Sequence, residues 1–174
     1  MNETPRQYTE RILGYQKGKA PLTVLASTPR RLQSLLRGIP RKRLSSRPAP
    51  DHWSVAEILA HLADAEIVTG YRVRLILGSN GIAVQAYDQD TWARFSQYRK
   101  QDPALSLDAF LALRRRNVAL LKSLSREMLD NYGMHEERGK ETISRLAEMI
   151  AGHDINHLRQ IEGILRPRAS EGRR

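Results

Sequence analysis

The stretch Glu141–Leu165, ETISRLAEMIAGHDINHLRQIEGIL, constrains the fold more than any other part of the chain. Its apolar residues Ile143, Leu146, Ala147, Ile150, Leu158, Ile161 and Leu165 recur every three or four positions, the period of a helix buried along one face. His153 and His157 fall inside that stripe, about 40° apart on a helical wheel. A buried imidazole brings two ring nitrogens that need partners. Two arrangements supply them: a hydrogen-bonded core pair, or a shared metal ion, to which histidines at i and i+4 can both present a nitrogen.

The rest of the chain reads as further helices. Arg6–Tyr15 forms a short one with Tyr8, Ile12 and Tyr15 on one side. Pro21 suits a first helical turn, and Leu22, Leu25, Leu32, Leu35 and Leu36 continue a stripe to Arg37. Thr28-Pro29 within it predicts a kink or restart, with Thr28 able to cap. A second helix opens on the capping box Ser54-x-x-Glu57 and runs to about Leu77, where Gly78-Ser79-Asn80-Gly81 ends it. His61 lies at the edge of its stripe. Ser106 is read as the cap of a third helix, Leu107–Leu124, in which Arg114-Arg115-Arg116 is mostly a solvent-facing run with one stem folded over the core. Ser125–Lys140 reads as a polar connection, and the fourth helix, Glu141–Leu165, is roughly 36 Å long. No segment reads as a strand. The expectation is an all-α four-helix bundle over residues 1–166, followed by a basic disordered tail at 167–174. The long connection between the second and third helices permits a crossover. That connection, residues 81–102, carries Tyr87, Trp92, Phe95 and Tyr98, rings that either plug one end of the bundle or wall a pocket.

Composition narrows the function classes. The 174 residues contain no cysteine, which excludes disulfides, thiolate metal sites, iron–sulfur clusters and a cysteine nucleophile. Met1–Ala20 is polar and charged, with no apolar signal-peptide core, and no apolar run approaches the roughly 20 residues that span a bilayer. A cytoplasmic protein without a membrane segment is therefore expected. The net charge of +10 is concentrated at Arg30, Arg31, Arg37, Arg41, Lys42, Arg43 and Arg47, and in the tail. Such runs are usually solvated surface, and no nucleic-acid motif or aromatic platform accompanies this one, so a nucleic-acid partner is not expected.

The residues Arg47-Pro48, Trp53-Ser54-Val55, Glu57, His61-Leu62, Asp64 and Glu66, followed far downstream by His153-Asp154, His157-Leu158 and Gln160-Ile161, resemble the DinB-like (DinB/YfiT) superfamily of metal-dependent hydrolases. The resemblance extends from Tyr8 to Leu165, with lesser matches at Tyr87-Asp88, Trp92-Ala93, His135 and Gly139. It implies a DinB/YfiT-like four-helix bundle, often a homodimer. It also implies one divalent metal ion, nickel or zinc before manganese or iron, held by His61, His153 and His157. Characterised relatives include transferases and isomerases that use a low-molecular-weight thiol, so the implied partners are a small-molecule substrate and, in some members, such a thiol.

Three neutral imidazoles leave a metal its full double charge, and an open position on it can activate water or bind a thiol as thiolate. The expectation is a metal-dependent hydrolase or thiol-dependent transferase acting on a small molecule; the alternative is a non-enzymatic stress-response or binding module whose metal site is structural or vestigial. Asp64, one turn from His61, is placed to orient an imidazole or act as base, or else to make an inter-helix hydrogen bond. Asp154 leans toward a neighbouring helix and is a candidate partner for an imidazole. Tyr87, Trp92, Tyr98 and His135 are the candidate pocket residues.

Overall fold

A computed structural model describes residues 3–166; the expected tail at 167–174 lies outside them. In chain order the helices are α1 (Pro5–Gln16), α2 (Pro21–Leu36), α3 (Arg41–Leu44), α4 (Val55–Gly78), α5 (Gln89–Phe95), α6 (Pro103–Ser123), α7 (Arg126–Asp130) and α8 (Ile143–Leu165), with a 3-10 turn at Tyr98–Lys100. Three short strands, β1 (Ala83–Val84), β2 (Tyr132–His135) and β3 (Gly139–Thr142), form one sheet in that order, β1 parallel and β3 antiparallel to β2.

The helix starts follow from local chemistry. Ser54 Oγ accepts from Glu57 N while Glu57 Oε2 accepts from Ser54 N, the reciprocal box that opens α4. Thr4 and Gln7 form a second such box at α1. The third long helix starts earlier than expected. Asp102 caps it through Ala104 N, Pro103 sets its first turn, and Ser106 is buried inside it. Thr142 caps α8, so Glu141 belongs to β3 instead.

Pro29 does not restart the first long helix. α2 runs through it, and Thr28 Oγ1 donates to Val24 O instead of capping. A proline has no N–H for the carbonyl four residues back. Here that carbonyl belongs to Leu25, and the Arg114 guanidinium of α6 donates to it at 3.1 Å.

Four long helices pack in a ring: α4 lies between α6 and α8, and α2 between α8 and α6 on the other side. Consecutive long helices α2 and α4 are therefore diagonal, as are α6 and α8. The crossovers are made by 37–54 and 124–142, whereas the long connection 79–102 joins the neighbours α4 and α6. Two apolar blocks fill the ring. Leu32, Val55, Ile58, Leu59, Phe110, Leu158 and Ile161 make one. Leu25, Val73, Ile76, Val118, Leu121 and Ile143 make the other. Between them each helix contributes buried polar groups: Thr28, Glu66, Arg114, Asn117 and Asp154.

α1 is an added layer against α8. It approaches so closely that a Cβ on Gly152 would strike the Ile12 carbonyl. The sheet, where no strand was expected, covers one end of the bundle. Its strands are two to four residues long, too short to show alternation, and Gly133 in β2 lets the backbone pass against Val84 and Ile76. The basic segment is partly consumed within the fold: Arg31 pairs with Glu162, Arg41 with Asp102, and Arg47 with Glu57, while Arg43 donates to Leu165 O at the end of α8. No helix among the described residues is long and apolar enough to cross a membrane.

Candidate metal centre

α4 supplies His61 and the adjacent α8 supplies His153 and His157, all three buried. Their Nε2 atoms converge: 2.8 Å from His61 to His153 and 3.1 Å from His157 to His153. Two imidazoles bound to one ion through bonds of about 2.0–2.1 Å hold their nitrogens about 3 Å apart. Gln160 Oε1 lies 2.9 Å from His157 Nδ1. With that oxygen as acceptor, His157 carries its proton on Nδ1 and leaves Nε2 bare. Burial pushes the His61 pKa down to about 3 and that of His157 to about 4, and drives His153 well below the usual range, so all three are neutral. Protons shared among three Nε2 atoms cannot satisfy them all. Three neutral, convergent donors fit a divalent cation.

The polar layer flanks this cluster. Arg114 is paired with Glu66 at 2.8 Å and doubly with Asp154, while Asn117 donates to Glu66. Burial lowers the Arg114 pKa, but the two carboxylates more than reverse this, so it stays protonated. One cation against two carboxylates leaves a negative charge in the core beside the histidines, and Asp154 raises the His157 pKa. Asp64 makes the inter-helix hydrogen bond that was one of its two expected roles: it accepts from the Tyr98 hydroxyl at 2.6 Å.

The aromatic connection divides in two. Tyr98 is buried against Trp53, whose ring lies 5.1 Å from that of His61. Tyr87 packs against Trp92 with the rings tilted and their centroids 4.9 Å apart, and it lines a cavity of about 80 Å³ that reaches His153. A second, larger cavity of about 270 Å³ reaches His157 and is bounded by Arg11, Trp53, Asn156 and Gln160. Tyr8 of α1 borders both. Burial and Tyr87 raise the Tyr8 pKa to about 12, so its phenol is neutral.

His135 sits on β2, with Nδ1 accepting from Glu137 N and Nε2 buried without a partner among the described residues. Burial, helped by Arg138 and Arg72, pushes its pKa down to about 4. Between an unfolded value of about 6.5 and that folded value, the unfolded chain takes up a proton that the native protein does not. Stability is therefore full above pH 6.5 and is lost as pH falls toward 4. Urea unfolding of metal-free His135→Asn across this range is expected to show a shallower acid loss than wild type; superimposable curves would count against a neutral, buried His135.

Reading the sequence did not find Tyr8, Arg11, Arg72, Arg114 or Arg138 as parts of the site. Arg114 had a usable signal: it lies four residues from both Phe110 and Val118, within the apolar stripe of α6. Arg72 and Arg138 had none, since cavity and sheet arise only on folding.

A helical bundle with three histidines converging between two of its helices defines a class of metal-binding scaffold. The sequence model of the DinB superfamily matches residues 25–161, and the chain belongs to that superfamily. It is 26% identical over 159 residues to "putative metal-dependent hydrolase YfiT" of Bacillus subtilis, covering 90% of this chain and 88% of that one. It is also 26% identical to "putative metal-dependent hydrolase OB0782" of Oceanobacillus iheyensis, over 136 residues and 78% of each chain. The solved structure of YfiT, described as a four-helix bundle of unusual topology, superposes with a TM-score of 0.76 at 21% identity, over 94% of this chain and 88% of that one.

Proposed function

We propose that this protein is a metal-dependent enzyme, in the first place a hydrolase, whose divalent ion is held by His61, His153 and His157 and acts on a small molecule. The convergence of three neutral Nε2 atoms carries this reading. When bound, a divalent metal supplies Lewis acidity and lowers the pKa of water; a thiol could take the same position as thiolate. Gln160 fixes the His157 tautomer, and the net negative polar layer, with Asp154 adjoining His153, offsets the charge of the ion. Trp53 and Tyr98 exclude water behind His61. Two cavities reaching the ligand histidines favour a working centre over a purely structural one, which would be closed. Nickel and zinc are the first candidates.

The test is metal content. Wild-type protein should carry about one divalent ion per chain, and His61→Ala and His153→Ala should each lose it while keeping a helical circular dichroism spectrum. Wild-type protein that takes up no nickel, zinc or manganese on reconstitution would sink the proposal. With metal established, hydrolysis of esters and amides is assayed with and without added thiol, which separates the two chemistries.

A further inference from the structure

The cavity beside His153 contains a charge that the centre does not account for. Arg72, on α4, lines it and is 8% exposed. Its Nη2 donates to Gln85 O, and its guanidinium lies 5.7 Å from the Tyr87 ring. Among the described residues it forms no ion pair, unlike the other cation on this wall: Arg138 is held by both carboxylate oxygens of Glu141. Burial and then the neighbouring Arg138 lower the Arg72 pKa by more than the carboxylates of Glu141 and Glu137, which do not contact it, raise it. A buried guanidinium with no carboxylate in direct contact is expensive. Keeping one inside a cavity is intelligible if an anion visits it.

We propose that this cavity is an oxyanion subsite, with Arg72 as its cation and the phenols of Tyr8 and Tyr87 as further donors. This rests on the metal-centre reading for its function: it makes the substrate a small molecule that places a carboxylate or phosphate here while its reacting group meets the ion held by His153 and its partners. About 80 Å³ is the room of two or three waters, enough for an oxyanion head group and little more. The rest of the substrate then lies toward the larger cavity at His157, since Tyr8 and Gln89 border both spaces. A guanidinium binds either oxyanion through paired N–H donors.

The subsite is tested on chelator-treated protein, so that its failure is separate from that of the metal centre, which metal content reports. Inorganic phosphate and acetate are titrated separately against the melting temperature of wild type, Arg72→Met and, as a control on the remote surface, Arg30→Met. Wild type and Arg30→Met should show saturable stabilisation by at least one anion, and the stronger of the two identifies the head group. Arg72→Met should bind it about tenfold to a hundredfold more weakly, while its anion-free melting temperature stays the same or rises. If Arg72→Met does not fold, Arg72→Gln, which keeps a donor for Gln85, is read by the same criterion. Equal anion responses in wild type and the Arg72 variant, or no saturable response in wild type, would overturn the proposal.

Discussion

Replacing Arg114 by methionine should destabilise the protein by about 3–5 kcal/mol, the usual loss when one partner of a buried ion pair is removed. The guanidinium meets Glu66, Asp154 and Leu25 O and lies over the Phe110 ring, so all four helices of the ring touch it. Without it two carboxylates share the core with no cation, and the carbonyl freed by Pro29 has no donor. Urea unfolding of the metal-free protein measures the loss. Adding Glu66→Gln and Asp154→Asn to Arg114→Met should recover a large part, because the defect is unpaired charge and not missing volume. A single variant within about 1 kcal/mol of wild type would show that the layer is not energetically critical.

The second large effect is expected at Gly152. A methyl there would meet the Ile12 backbone, which cannot swing aside as a side chain can. Overpacking of this kind is worth about 1–3 kcal/mol, or about 2–4 °C of melting temperature per kcal/mol in a chain of this size. Gly152→Ala should therefore melt several degrees lower and become sensitive to trypsin at Arg6 and Arg11 as α1 lifts from α8. Metal content should hold, since the three histidines lie on α4 and α8. Unchanged melting and unchanged protease resistance would show that α1 adjusts at little cost.

How much of this was legible beforehand varied with the range of the interaction. The Ser54–Glu57 box and the 3–4 spacing of α8 are local, and they placed α4 and α8 within a residue or two. The start of α6 was misread because Ser106 looked like a cap, although Asp102-Pro103 combines a side-chain acceptor with a preset φ. The three histidines stood out because imidazoles in an apolar stripe are conspicuous. Arg72 and Arg114 did not, since an arginine on a helix is ordinary until its surroundings are known, and those come from segments dozens of residues away. The sheet was lost for a similar reason: four-residue strands such as Tyr132–His135 are held by their pairing and carry almost no pattern of their own. The ring order was also beyond periodicity, which tells which face a helix buries but not against which neighbour.

The proline in α2 bears on the order of assembly. Alone, this helix has a gap in its hydrogen-bond ladder at Leu25, and only a side chain from α6, itself held by α4 and α8, fills it. Local structure in α2 and docking of the other three helices are thereby tied into one event. A partly assembled bundle would expose both the bare carbonyl and the unpaired carboxylates, so intermediates are disfavoured relative to either end state. The bundle should unfold as a single cooperative unit, with the amides around Leu25 exchanging through global opening and not through fraying of α2.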